Sequence, residues 1–210
     1  MTAPDLSASF TPTPIAFDPA DPAERRLAFL MEADRLKEIE RAGRVAGGRR
    51  ENSAEHSWHL ALYALALGSE APEGASVDRV IRMLLIHDLV EIDAGDTPFH
   101  GEKRADLDAI EDAAAARIFG LLPEAEAGEM LALWREFEAA ETPDARFAKA
   151  LDRMQPVMLN LATGGGTWPD FSVSEQQVLD RCGPPIARGA PGLWPRIRDR
   201  IRAYFAARDV

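Results

Sequence analysis

His56, the adjacent pair His87-Asp88 and the distant Asp152 are nitrogen and oxygen donors, each in a stretch that reads as helix: ENSAEHSWHLALYALAL, VIRMLLIHDLVEIDAGDTP and FAKALDRMQPVML. Two imidazoles and two carboxylates can hold a divalent cation. A cation so held suits phosphate-ester hydrolysis, because it acidifies water and offsets the charge that develops on a phosphate oxygen. The site exists only if segments far apart in the chain converge on one point.

The segment around the pair carries most of the weight. Val80, Leu84 and Leu85 form an apolar stripe that seats a helix in the core, whereas His87, Asp88 and Glu91 are polar groups among apolar neighbours. Burying them uncompensated would cost several kcal/mol, so they need a partner. Glu91 is four residues after His87 and three after Asp88, on the side from which both donors project. Asp93, Gly95, Asp96, Thr97 and Pro98 then end the helix in a turn that sets Asp96 at the mouth of the same site. Asp152 sits among Phe147, Ala148, Leu151 and Met154, a setting that calls for a metal or for a cation such as Arg153 or Lys149. Any one of these residues alone has a plain structural reading, since a lone helical His is usually a hydrogen-bonded core residue. The four together argue against it. His59, three residues after His56, adds nothing that coordination lacks, and His100 follows the Asp96 turn as either a substrate contact or an exposed residue.

The bulk of the chain must position these groups. Its 210 residues, 46% hydrophobic, bury one substantial core and fit one domain better than two. A net charge of −11 repels a nucleic-acid backbone or an anionic membrane, so neither is expected as a partner. The single Cys182 forms no internal disulfide, and no apolar run is long enough to span a bilayer. A cytoplasmic setting follows as the expectation.

Residues 1–22, with Pro4, Pro12, Pro14, Pro19 and Pro22, lack apolar periodicity and read as a flexible arm, leaving 23–210 as the folded domain. Helices are expected over 23–42, 53–69, 76–92, 103–121, 123–140, 143–163, 174–182 and 191–207, and no segment demands a strand, so the class is all-α. Ser53 precedes the His56 helix, Asp78 or Ser76 can cap the next, and Thr142-Pro143 opens another. Gly43, Gly68 and Gly164-Gly165-Gly166 read as helix stops. Arg35, Lys37, Glu38, Glu40 and Arg41 read as a solvated helix face. Trp134, Phe137, Trp194 and Phe205 read as core or interface residues.

The pattern of a His, an HD pair and a later Asp resembles HD-domain phosphohydrolases, which place one divalent metal between the helices of a single helical bundle. The resemblance is greatest to the bacterial 5′-deoxynucleotidase branch: EN-x-x-EH matches Glu51 to His56, HD-x-x-E matches His87 to Glu91, and GD-x-P matches Gly95 to Pro98, within about residues 25–165. It implies metal ligands His56, His87, Asp88 and Asp152 and catalytic groups Glu91 and Asp96. It also implies a phosphate-orienting Arg41. Asp96 and Thr97 are expected beside the substrate, and Arg44, Arg49 or Arg50, which the resemblance does not itself supply, are expected as substrate-side helpers of Arg41. A Trp that crowds the sugar in that branch has no counterpart in Arg41-Ala42-Gly43-Arg44-Val45. Arg44 stands in its place, which leaves the sugar preference open and favours a second phosphate or another anion. Among Mn, Co, Zn, Fe, Ni and Mg, the resemblance favours Mn or Co. It also implies a homodimer.

The expected activity is removal of the 5′-phosphate from a small-molecule nucleotide, a nucleoside or deoxynucleoside monophosphate, by attack of a metal-bound water. Asp96 would position or deprotonate the water and Glu91 would serve as a second anchor. Two alternatives stand beside it: hydrolysis of a triphosphate, a cyclic nucleotide or guanosine tetraphosphate with the same ligands, and a non-catalytic metal- or nucleotide-binding module.

Overall fold

The structure, a computed structural model, describes residues 14–97 and 106–208. Pro98, His100 and the first residues of the helix expected from 103 lie outside the described residues, as do residues 1–13 of the arm. Residues 14–21 carry no helix or strand. The described elements run α1 (Pro22–Asp34), β1 (Glu40–Arg44), β2 (Arg50–Asn52), α2 (Ser53–Ala66), α3 (Val77–Ile86), α4 (Glu91–Ala94), α5 (Leu107–Phe119), α6 (Glu124–Ala139), α7 (Pro143–Ala162), α8 (Glu175–Gly189) and α9 (Trp194–Ala206). The class is all-α, as expected, with one small antiparallel hairpin added.

The hairpin corrects the helix expected over 23–42. α1 stops at Asp34, a 3-10 turn covers Arg35–Glu38, and the chain then extends. Glu40 pairs with Asn52 and Arg44 with Arg50, so Arg41, Ala42 and Gly43 stand opposite the single residue Glu51. A bulge of this kind bends its strand and re-aims side chains. It turns Arg41 inward, which a helix face would not have done. Gly43 therefore lies within a strand and is no helix stop.

α7 is the central element. Its apolar face, including Phe147, Leu151 and Met154, is buried among α8, α3, α6 and α2. Thr142 caps it by accepting from the Ala145 N–H, and Pro143 occupies its first turn. Pro156 lies inside it and supplies no N–H for the carbonyl of Asp152, four residues earlier. α8 runs seven residues past its expected end, through Pro184 and Pro185. Val178, Cys182 and Ile186 seat it against α7 at four-residue spacing, while the carbonyls freed by the two prolines belong to the exposed Asp180 and Arg181. The Gly164-Gly165-Gly166 run does end α7, with φ of 68°, 109° and 49°.

Other local readings shift by small amounts. Asn52, rather than Ser53, caps α2 in a reciprocal capping box with Glu55. Ser76 precedes α3, but its side chain makes no cap bond; its N–H donates to Asp144. Gly68 sits in a 3-10 turn beyond α2, at a φ outside the left-handed region. Leu85 is about half exposed, so the apolar stripe of α3 is completed by Met83 and Ile86 instead. α3 also ends before the HD pair, which occupies a turn between α3 and α4.

The α7–α8 contact is tight at Gly189, where a Cβ would meet the Arg146 carbonyl oxygen at 2.0 Å. Gly189→Ala should cost roughly 1–3 kcal/mol through overpacking. Gly128→Ala, in α6 with open space around it, should stabilise by about 0.5–1 kcal/mol. Urea unfolding of the two variants should therefore show midpoint shifts of opposite sign.

Candidate metal centre

Two helices, α2 and α7, and the turn after α3 bring the expected donors together. His56, His87 and Asp88 are buried and present ligand atoms within 4.8 Å of one another. Asp152 Oδ1 lies 3.2 Å from His56 Nε2 and 3.7 Å from His87 Nε2, so the fourth donor faces the same centre. Asp88 Oδ1 lies 2.9 Å from His87 Nε2.

Hydrogen bonds behind each ring fix which nitrogen points inward. His87 Nδ1 donates to the Leu84 carbonyl at 2.9 Å, which leaves Nε2 for the centre. That atom is buried and meets no acceptor in hydrogen-bonding geometry. His56 Nδ1 is 3.1 Å from Gln155 Oε1, whose amide nitrogen donates to Glu51 Oε1 at 2.7 Å and reaches His59 Nδ1 at 3.2 Å. Gln155 thus accepts from Nδ1 of His56 and aims Nε2 at Asp152. An orphaned buried imidazole nitrogen, a second ring held in the same sense and two carboxylates suit a divalent cation, by position and by ligand type.

A second layer of charge surrounds these groups. Arg41 Nη1 donates to Asp88 Oδ2 at 2.7 Å and to Glu91 Oε1 at 3.4 Å, and lies 3.6 Å from Asp96 Oδ1. Glu91 Oε2 accepts from the Ser53 hydroxyl at 2.5 Å. Burial raises Glu91 and the Asp88 charge adds to it, with Arg41 opposing. Asp96 is raised for the same reasons. Burial alone would raise Asp88 and Asp152 too; the charges of His87 and Arg41 hold the first low, and Arg153, His56 and His87 hold the second well below the usual carboxylate range. Burial would lower His87, but Asp88 and Asp152 outweigh it and carry it up to about 10. Protons and a guanidinium thus balance a concentration of negative charge that a cation would otherwise balance.

The remaining expected residues divide. Thr97 lines the recess in front of the HD pair together with Arg41, Glu91 and Asp96. Arg44 stays outside that cluster: its side chain is 42% exposed, donates to the Gly48 carbonyl and lies 3.9 Å from Asp170, beside an outer recess that also includes Arg50 and Asp96. Arg49 is committed to Glu55 at 2.7 Å on the surface. His59 stands behind Gln155 and is not among the donors. The reading of Arg41 as a solvated face is overturned by its buried ion pairs. Arg153 lies 3.8 Å from Asp152, so the cation weighed as an alternative to metal is there alongside the donors. Gln155 has no sequence reading of its own and Ser53 has one only as the start of the His56 helix, although Gln155 is a polar residue on the buried face of α7, a signal open to inspection.

Comparison with known proteins agrees with this geometry. The HD-domain family model matches residues 33–194. The 5′-deoxynucleotidase HDDC2 of Bos taurus is 30% identical over 149 residues, 70% of this chain and 71% of its own length; that of Homo sapiens is 30% identical over 139 residues, 65% and 67%. The crystal structure of a predicted metal-dependent phosphohydrolase from Magnetospirillum magnetotacticum MS-1 superimposes with a TM-score of 0.84 at 47% identity, covering 89% of this chain and 94% of that one. A conserved hypothetical protein from Pyrococcus furiosus, 20% identical with a TM-score of 0.60 over 84% of this chain and 99% of that one, shares the fold. The chain belongs to the HD-domain family. No described helix is long and apolar enough to cross a membrane.

Arg41 offsets three carboxylates, Asp88 buried and Glu91 and Asp96 half-buried. Arg41→Met should destabilise the metal-free protein by roughly 3 kcal/mol, because the charges it neutralised stay behind. Arg44→Met should shift stability by no more than about 0.5 kcal/mol. Denaturant unfolding in chelator, repeated with added Mn(II), should show the Arg41→Met loss largely recovered; equal stability of the two variants in chelator would contradict the charge balance described here.

Proposed function

We propose that this metal-dependent phosphohydrolase removes the 5′-phosphate from nucleoside or deoxynucleoside monophosphates, with one divalent ion held by His56, His87, Asp88 and Asp152. The observation that carries the reading is the convergence of those four side chains beneath Arg41, Glu91 and Asp96, the last two superfluous to coordination. The relatives named as 5′-deoxynucleotidases, about 30% identical, support the substrate class, and Mn or Co remains the favoured ion.

The bound ion would supply Lewis-acid polarisation of a phosphate oxygen and acidification of a water. The chain supplies the rest. Arg41, tied in the metal-free state to Asp88, Glu91 and Asp96, becomes available to a phosphate once positive charge beside Asp88 rises, and its planar fork suits two phosphate oxygens. Asp96, with its affinity for a proton raised by burial, is placed to take a proton from the attacking water and return it to the leaving 5′-oxygen. Glu91, anchored by the Ser53 hydroxyl, holds Arg41 and the water in line. Lys149 and Arg153 edge the same recess and make it locally attractive to an anion despite the acidic chain.

Glu91→Gln and Asp96→Asn should each lower kcat for a nucleoside monophosphate by at least about 100-fold. Both should still bind one Mn(II) per chain by calorimetry, measured alongside phosphate release. Retained turnover in both variants would remove the assigned roles.

His87, faced by His56, Asp88, Asp152 and Arg41, keeps its proton up to a pH of about 10 without metal, and a ligand imidazole must be neutral. Loading therefore expels a proton, and raising the pH strengthens binding. Apparent affinity should climb roughly tenfold per pH unit across pH 7–9, where an unperturbed imidazole, titrating near 6.5, would have levelled off. Calorimetry in buffers of different protonation enthalpy counts the proton.

A further inference from the structure

Beside the HD recess a second one opens between β1 and the turn joining α7 to α8, with about 730 Å³ of empty space including its solvent-open side. Arg41, Asp96, Asp152 and Arg153 border both. A molecule whose phosphate reaches the donors from one side can therefore extend the rest of itself toward the other.

The walls of this recess differ from those of its neighbour. Pro156, Val157, Trp168 and Phe171 make it largely apolar, and Asn160 and Thr167 add polar groups. Phe171 is 45% exposed, a large ring left without full cover. The next residue, Ser172, holds φ +50°, a left-handed conformation that costs a residue with a Cβ, and the Phe171 N–H is tied to the Thr167 carbonyl at 3.1 Å. Trp168 is buried, stacked on Phe205 with ring centres 5.3 Å apart and set edge-on to Tyr204. The turn is wrapped closely on Asn160: a Cβ on Gly166 would lie 2.1 Å from its Oδ1. The wall is thus a packed structure.

Asn160 supplies the specific contact. Its Oδ1 accepts from the Thr167 N–H at 3.1 Å, which fixes the amide so that the NH2 is the other end. The side chain is 5% exposed, and among the described residues that NH2 donates to nothing. A donor on the wall of the recess, left without a protein partner beside an exposed aromatic ring, suits a flat heterocycle with a hydrogen-bond acceptor on its edge.

Building on the function proposed above, we infer that this recess is the nucleoside subsite, with the base packed against Phe171 and an edge nitrogen or carbonyl oxygen of the base accepting from Asn160. The subsite would make the enzyme prefer a nucleotide to a sugar phosphate that lacks a base.

Phe171→Ala, with Phe171→Trp as the conservative variant, tests this on deoxyadenosine 5′-monophosphate and ribose 5-phosphate in the Mn-loaded protein. The alanine variant should raise KM for the nucleotide about tenfold, leave ribose 5-phosphate hydrolysis unchanged, and be rescued by Trp. Saturation-transfer NMR, which needs no turnover, should show contact from protein to the base protons in the parent that fades in Phe171→Ala. Equal effects on both substrates, or base-proton contact indifferent to Phe171, would overturn the subsite. If the parent releases no phosphate yet shows Phe171-dependent contact with the base, the subsite stands and the hydrolytic reading falls; absence of both removes the two together.

Discussion

Concentrated negative charge in a dry place governs this protein. Asp88 and Asp152 are buried side by side, Glu91 and Asp96 stand within reach of the same arginine, and the compensating groups close at hand are Arg41, Arg153 and two imidazoles. Carboxylates so placed must be paired, protonated or bound to a metal. Without a metal, His87 keeps a proton that it would lose in water, and burial beside other carboxylates raises the proton affinity of Glu91 and Asp96. The fold keeps a set of groups whose charges are balanced only provisionally, and a doubly charged ion is the species that balances them most directly.

Much of the architecture can be understood as what holds that arrangement in place. α7 is the central helix and carries both Asp152 and Gln155, so one buried face delivers a donor and the group that orients the opposite ring. α2 begins at the Asn52 cap, which places Ser53 and His56 three residues apart at the start of the helix, one holding Glu91 and the other facing the centre. The break between α3 and α4 puts His87 and Asp88 in a turn instead of on a helix face. The hairpin supplies the remaining cation, since three residues opposite one on β1 send Arg41 inward.

The donors were legible in the sequence because chemistry restricts them: an apolar helix tolerates a His, an adjacent HD pair and an isolated Asp only where something compensates. Thr142-Pro143 and the triple glycine were legible for local reasons, a cap and a left-handed turn. The hairpin was not. Glu40-Arg41-Ala42-Gly43-Arg44 has no alternation of apolar and polar residues, its pairing is short and bulged, and its charges suit a solvated helix equally well; only packing against Glu51 and the carboxylates decides. α8 was cut short for the opposite reason, since Pro184 and Pro185 look like a stop until the exposed position of the freed carbonyls is known. Arg44 illustrates a limit of spacing, because three residues from Arg41 on a bulged strand it points to a different recess.

X-ray diffraction of the Mn(II)-loaded protein, with anomalous data collected at the Mn absorption edge, tests the central claim most directly. One anomalous peak about 2.0–2.3 Å from a nitrogen of His56, a nitrogen of His87 and oxygens of Asp88 and Asp152 is the outcome the charge balance predicts. A peak bound elsewhere, or none there while Arg41 still bridges Asp88 and Glu91, would contradict it.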